Sequence, residues 1–282
     1  HAGRAVGMEK GLQILNDIKE KYNVPVTTDV HESWQCKEVG QVVDILQIPA
    51  YLCRQTDLIL AAADTGRVVN VKKGQFMAPW NMDNVVEKIL SRDNEKIILC
   101  ERGNSFGYNR LVVDMQGLID MRKLGYPVFL DATHSVQQPG SGHEFTSGNR
   151  PFVPYMMRAG LAVGVDGIFA EIHPNPDCAV SDGPSQLFLK DVDCVMLGYD
   201  VTWEHSFDCI KTFWCDYTKG HSGIDLIYLL GNKIDLEQRE VEENEARNYC
   251  KVEDIRYFEI SCKYNSGINE LLDDLTNQLI KR

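Results

Sequence analysis

Residues 68–73 read VVNVKK and residues 96–102 read KIILCER, two short β-branched runs that each end in a cation. A strand with one wet face alternates apolar and polar side chains, whereas these runs are apolar almost throughout. That is the pattern of a strand buried on both faces of a parallel sheet. Working outward, the same pattern recurs at 24–30 (VPVTTDV), 43–49 (VDILQIP), 127–134 (PVFLDATH) and 167–174 (GIFAEIHP). Helix-length stretches separate them, and the opening segment sets Met8, Leu12, Leu15, Ile18 and Tyr22 at helical spacing. Strands alternating with helices predict a parallel sheet with helices on its faces. The runs end in polar or ionisable groups: Asp29 and His31, Gln47, Lys72, Arg102, His134 and Glu171. Function at the carboxyl ends of parallel strands is common to the closed (β/α) barrel and the open doubly wound sheet.

A closed barrel of this kind has eight strands, and this region offers about six. Three further runs follow, at 194–201 (CVMLGYDV), 226–235 (LIYLLGNKID) and 256–263 (RYFEISCK). The last is followed by a helical pattern that sets Ile268, Leu271, Leu272, Leu275 and Leu279 on one expected face. Charge also changes along the chain. Residues 191–282 hold 19 acidic and 10 basic residues, which leaves 22 of the 41 acids and 19 of the 29 bases to the first 190. Such a shift is a signal of a boundary.

The net charge of −12 argues against nucleic acid or an anionic membrane surface as the main partner. No apolar run approaches the roughly 18–20 residues that cross a bilayer, and HAGRAVGMEK at the start lacks the apolar core of a signal peptide. Nine cysteines without a CxxC point to reduced thiols and a cytoplasmic protein.

His134, Glu171 and Asp182 offer one imidazole and two carboxylates, a donor set suited to Mn²⁺, Fe²⁺ or Zn²⁺. Isolated polar strand ends are more often simply hydrogen-bonded. Lys72 and Arg102 end neighbouring runs and could jointly hold a small anion, or stand as ordinary surface cations.

The strand ends carry longer motifs: TDVHE (28–32), QIPAYLCRQTDL (47–58), NVKKGQF (70–76), CERGNSFGYNRLVVDM (100–115), DATHSVQQPG (131–140), EIHP (171–174) and SDGPSQL (181–187). In order and spacing they resemble the 3-deoxy-8-phosphooctulonate synthase family, which condenses phosphoenolpyruvate with arabinose 5-phosphate in lipopolysaccharide synthesis. The resemblance implies that Lys72 and Arg102 bind the phosphate and carboxylate of phosphoenolpyruvate. Gln47, Ala50 and Arg54 would line the same pocket, and Asp29 and His31 would lie near the reacting carbons. His134, Glu171 and Asp182 match three ligands of the family's metal-dependent branch, whose fourth is a cysteine on the first strand. A homo-oligomer is likewise implied. Absent from the resemblance are the family's first two strands, its first helix, a lysine-rich segment and the last barrel helix.

NKID (232–235) follows an apolar run, and SCK (261–263) ends the next one. Together with YDVT (199–202) they resemble the base-reading half of a Rab-type small GTPase. By that resemblance Asp235 would accept from guanine, Lys233 would pack on the ring, and Asn232 would tie the two loops together. Ser261, Cys262 and Lys263 would complete the site for GTP or GDP. The phosphate-cradling GxxxxGK[ST] has no counterpart, since the chain contains no Gly-Lys dipeptide. DMQG (114–117) spells a DxxG but falls in the synthase-like part.

The expected fold is therefore α/β: an incomplete (β/α) TIM-type barrel over 1–190, then half of a Ras-like P-loop-type domain over 191–282, joined between 186 and 193. The expected function is the synthase condensation with an incomplete site. The alternatives are a guanine-nucleotide-binding module and a fusion that retains no activity.

Overall fold

A computed structural model describes residues 6–22, 24–106, 109–139, 147–188, 194–221 and 226–280. The chain divides into two compact units, His1–Phe188 and Leu189–Arg282. Much of the expected join, 189–193, lies outside the described residues.

The first unit holds a six-stranded parallel sheet, curled as part of a barrel. Its strands are β1 (Thr27–Asp29), β2 (Ile45–Ile48), β3 (Val68–Lys72), β4 (Ile97–Glu101), β5 (Val128–Asp131) and β6 (Gly167–Phe169), adjacent in chain order. That sequential order is the winding of a (β/α) barrel; a doubly wound sheet would reverse direction at a switch point. The central strands are buried nearly throughout, as their composition predicts. Edge strand β1 leaves Thr27 and Asp29 exposed.

Helix α1 (Met8–Tyr22) precedes the sheet, and α2 (Ser33–Val42), α3 (Thr56–Ala63), α4 (Asp83–Leu90), α5 (Met115–Arg122) and α6 (Val153–Val163) supply the crossovers. Their limits are chemical. Glu32 and Gln35 form a reciprocal capping box at the start of α2, and α6 stops at Gly164, whose φ is +91°. Asp114 caps α5 by accepting from the Gln116 N–H, and a Cβ on Gly117 would stand 2.4 Å from Pro79. The DxxG at 114–117 is thus a helix start packed against a proline. On α1 the expected stripe is only partly covered: Met8, Leu12 and Leu15 pack on the core, while Ile18 is 36% exposed.

The expected strand at 167–174 is broken. Gly167–Phe169 pairs with β5, then Ile172–His173 pairs instead with Leu187–Phe188. Between them the Glu171 N–H turns to donate to Thr133 Oγ1 at 2.8 Å. Similarly, β5 ends at Asp131, and His134 stands on a turn held by its own N–H donating to Asp131 Oδ1.

The second unit has its own parallel sheet of β7 (Val195–Asp200), β8 (Ile227–Asn232) and β9 (Arg256–Glu259), in that order. Helices α7 (Glu204–Cys209) and α8 (Cys215–His221), joined by one π turn, precede α9 (Glu243–Glu253) and α10 (Ile268–Ile280). On α10 the expected apolar face is narrower than its five residues: Ile268, Leu271 and Leu275 pack inward, while Leu272 and Leu279 are exposed. The packed three share one i, i+3, i+7 row, and the exposed two lie on a neighbouring row.

Beneath the carboxyl ends of β3 and β4, Lys73 and Glu101 are both fully buried, with Lys73 Nζ 3.3 Å from Glu101 Oε2. Lys73 also donates to the Gly74 and Met77 carbonyls and to Asn104 Oδ1, and Glu101 Oε1 accepts from the Arg102 and Gly103 N–H groups. Removing one partner strands the other charge. Lys73→Met should cost about 3–5 kcal/mol in urea unfolding, and adding Glu101→Gln should recover part of it; equal stability of the two variants would contradict this.

Candidate active site

The register of the sheet creates a polar ladder. Asp29 pairs with Gln47 and Gln47 with Asn70, so that Gln47 Nε2 donates to Asp29 Oδ1 at 2.5 Å and Asn70 Nδ2 donates to Gln47 Oε1 at 2.9 Å. Beside it opens a cavity of about 590 Å³ lined by Asp29, Gln47, Ala50, Lys72, Arg102, His134, Glu171 and Asp182. These eight, of fifteen lining residues, are the ones that the sequence singles out. His31 and Arg54 are not among the lining residues; both are exposed, His31 just before α2 and Arg54 just before α3.

The centre of the cavity is a residue that sequence reasoning passed over. Asp131 is wholly buried; Oδ2 forms an ion pair with Lys72 Nζ and lies 2.7 Å from His134 Nδ1. Burial alone would raise its pKa, but the Lys72 charge and the His134 contact outweigh burial and bring it to about 2. The signal was present: an acid at the inner end of an otherwise apolar run. Lys72 Nζ also stands 3.2 Å from the Phe169 ring centroid.

Arg102, almost entirely buried, donates through Nη2 to Gln137 Oε1 at 2.7 Å. Its Nη1 is buried with no hydrogen-bond partner among the described residues. Burial pulls the guanidinium below its ordinary pKa, with the Asp131 charge opposing. An unpartnered guanidinium nitrogen in a cavity that Lys72 also lines has the donor chemistry to accept an anionic oxygen as partner.

Across the cavity, His134, Glu171 and Asp182 each bring a ligand atom within 4.8 Å of the other two, and His134 Nε2 lies 3.6 Å from Glu171 Oε1. Two ligands about 2.1 Å from one ion at tetrahedral angles stand roughly 3.4 Å apart. Beside the Asp131 carboxylate His134 donates through Nδ1, and Nε2 faces the carboxylates; in the neutral ring that nitrogen carries the lone pair, the usual arrangement of a metal-binding imidazole. Gln186 Nε2 holds Glu171 Oε2 at 3.1 Å, and burial raises the Glu171 pKa against the pull of His134. The donor set and its outer supports fit a divalent cation.

In the second unit, Asn232 Oδ1 accepts from the Cys262 N–H at 3.2 Å, and Ser261 Oγ donates to Asp235 Oδ1 at 2.5 Å. Lys233 takes φ +67° and pairs with Asp200 at 2.6 Å, and Cys262 and Lys263 are exposed.

The profile of the DAHP synthetase I family matches residues 2–204, and that of the Ras family matches residues 183–281. The chain belongs to the DAHP synthetase I family, with a Ras-family match over its C-terminal third. Within that family it is similar to proteins named 2-dehydro-3-deoxyphosphooctonate aldolase. The Fusobacterium nucleatum protein is 61% identical over 193 residues, 68% of this chain and 69% of that protein. Those of Cyanothece sp. and Granulibacter bethesdensis are 58% and 57% identical, with 71% and 67% of their lengths covered by 68% and 67% of this chain. No helix among the described residues is long and apolar enough to cross a membrane.

The depressed Asp131 pKa has a defined sign. Its charge contributes fully above the ordinary carboxylate value, about 3.9, and the contribution is lost as pH falls through about 2. The stability gap between the wild type and Asp131→Asn should therefore be constant from neutral pH to about 4 and narrow only below that. A gap that closes near pH 6 in chemical unfolding would show that the carboxylate is not held this way.

Proposed function

We propose that the first unit carries the condensation chemistry of 3-deoxy-8-phosphooctulonate synthase, joining phosphoenolpyruvate to arabinose 5-phosphate. One observation carries this reading: Lys72 and Arg102 converge on the same 590 Å³ cavity as His134, Glu171 and Asp182. The family and the relatives' name support it. In this assignment Lys72 and Arg102 hold the phosphate and carboxylate of phosphoenolpyruvate, Gln47 and Ala50 shape the wall, and Asp29 borders the reacting carbons. The enol carbon attacks the aldehyde, water adds to the resulting cationic carbon, and phosphate leaves by C–O cleavage. Lys72 and Arg102 offset the negative charge at each stage. His134, Glu171 and Asp182 would hold a divalent cation (Mn²⁺, Fe²⁺ or Zn²⁺), which supplies Lewis-acid polarisation of oxygen when bound. His31 and Arg54 are left out of this assignment because neither lines the cavity.

Calorimetry with phosphoenolpyruvate tests it. Arg102→Ala should weaken binding roughly 10- to 150-fold, the value of a lost charge-assisted hydrogen bond of about 1.5–3 kcal/mol. Asp182→Asn should weaken Mn²⁺ binding. Unchanged affinity for phosphoenolpyruvate in Arg102→Ala would reject the anion assignment.

A second reading concerns the other unit: residues 232–235 and 261–263 form a guanine-reading surface for GTP or GDP. It is favoured by the Asn232–Cys262 and Asp235–Ser261 hydrogen bonds, which knit the two loops. In this reading guanosine binds in preference to adenosine, and Asp235→Ala removes the preference because the acceptor for guanine N–H groups is lost. Equal binding of the two nucleosides by the wild type would dismiss it.

A further inference from the structure

Two buried side chains join the cationic half of the cavity to the half that presents His134, Glu171 and Asp182. Asp131 spans Lys72 and His134. Gln137 spans the other pair: its Oε1 accepts from Arg102 Nη2 at 2.7 Å, and its Nε2 donates to Asp182 Oδ1 at 2.5 Å. The Gln137 side chain is only 6% exposed and lines the cavity between them.

An amide engaged at both ends has one usable orientation. Turning it over would set NH₂ against the guanidinium and C=O against the carboxylate, two repulsive contacts in a buried site. The bridge therefore fixes which amide atom faces each partner. Arg102 retains the unpartnered, buried Nη1, and an anion taken there would fix the guanidinium plane. Asp182 is backbone-constrained, with φ +53° and a carbonyl that accepts from the Ser185 and Gln186 N–H groups. Its side chain is the part left to be oriented.

We propose that Gln137 is a positioning residue that couples anion binding at Arg102 to cation binding at His134, Glu171 and Asp182. The inference rests on the reading of this cavity given under Proposed function. Anion capture holds Arg102, Arg102 holds the Gln137 carbonyl, and the Gln137 amide holds Asp182 in its ligand position. By linkage the effect is reciprocal: each ligand tightens the other by the same factor.

The test measures Co²⁺ affinity by visible absorbance, with and without saturating phosphoenolpyruvate, at low and high salt. Salt screens long-range attraction between exposed charges and acts much less inside the buried cavity, so the part of the factor lost on removing Gln137 is what isolates the bridge. In the wild type, phosphoenolpyruvate should tighten Co²⁺ by a factor on the order of 5–150, and most of that factor should survive high salt. Gln137→Met, close in volume but unable to bond either partner, should bind each ligand alone while its high-salt factor falls toward one. Gln137→Asn, one methylene too short to span both partners, should behave alike and serves if the methionine variant does not fold. Gln137→Glu, which pairs with Arg102 and repels Asp182, should weaken both ligands. A folded Gln137→Met or Gln137→Asn protein with the wild-type factor in high salt would overturn the bridge. Wild-type protein that binds both ligands independently would also overturn the coupling while leaving the site assignment standing. Failure of the wild type to bind either ligand would overturn the site assignment itself.

Discussion

The ionised carboxylate of Asp131 is the constraint around which the first unit's site is arranged. A charge removed from water to this degree is costly unless paired and hydrogen-bonded. Its partners come from two places: Lys72 at the end of β3 and His134 on the turn after β5. Strand β4 lies between β3 and β5, so Lys72 reaches across the end of a neighbouring strand, over the buried Cys100 with which it is in register. Held there, Lys72 faces the cavity with its position set, and His134 is turned so that Nε2 faces Glu171. One buried negative charge thus fixes the position of both an ammonium and an imidazole at the cavity.

The breaks in the strands follow from the same demand. A strand continued through 134 would alternate Asp131, Ala132, Thr133 and His134 across the sheet and separate Asp131 from His134. The turn brings both to one side, and Thr133 is freed to accept from the Glu171 N–H. That contact diverts 170–173 from β5 toward Leu187–Phe188, whose segment follows Asp182 and contains Gln186, the residue that steadies Glu171. Local departures from regular structure are what assemble the trio.

The second unit shows a different economy of polar groups. Its β-sheet carries a half-buried Tyr199–Tyr257 hydroxyl pair at 2.9 Å, with Tyr257 donating to Glu259 and Glu259 paired with Arg239. Gly231 lies over the two hydroxyls, and a Cβ there would come within 3.0 Å of both. At the carboxyl ends of the same strands, Asn232 and Asp235 bind the 261–262 segment rather than each other. The loops are fixed by side chain-to-loop bonds, and Lys233 is held by Asp200 at the end of β7.

The sequence by itself determined the strand and helix series, the two-unit composition and most of the cavity's lining. Apolar runs and helical spacing are local properties, and polar residues at run ends necessarily collect at one end of a parallel sheet. It overextended the strands at 127–134 and 167–174, because composition cannot say where a backbone N–H will leave the ladder for a side-chain acceptor. It gave α10 a wider apolar face than packing uses, since the width depends on the neighbouring surface. His31 and Arg54, expected at the site from their motifs, are exposed and do not line the cavity. Asp131 and Gln137 were legible as residues and illegible as roles. Their partners, Lys72, His134, Arg102 and Asp182, are up to 59 positions away in the chain. Only the register of adjacent strands and the turns beyond them bring those groups within hydrogen-bond reach, where burial makes each polar atom require a partner.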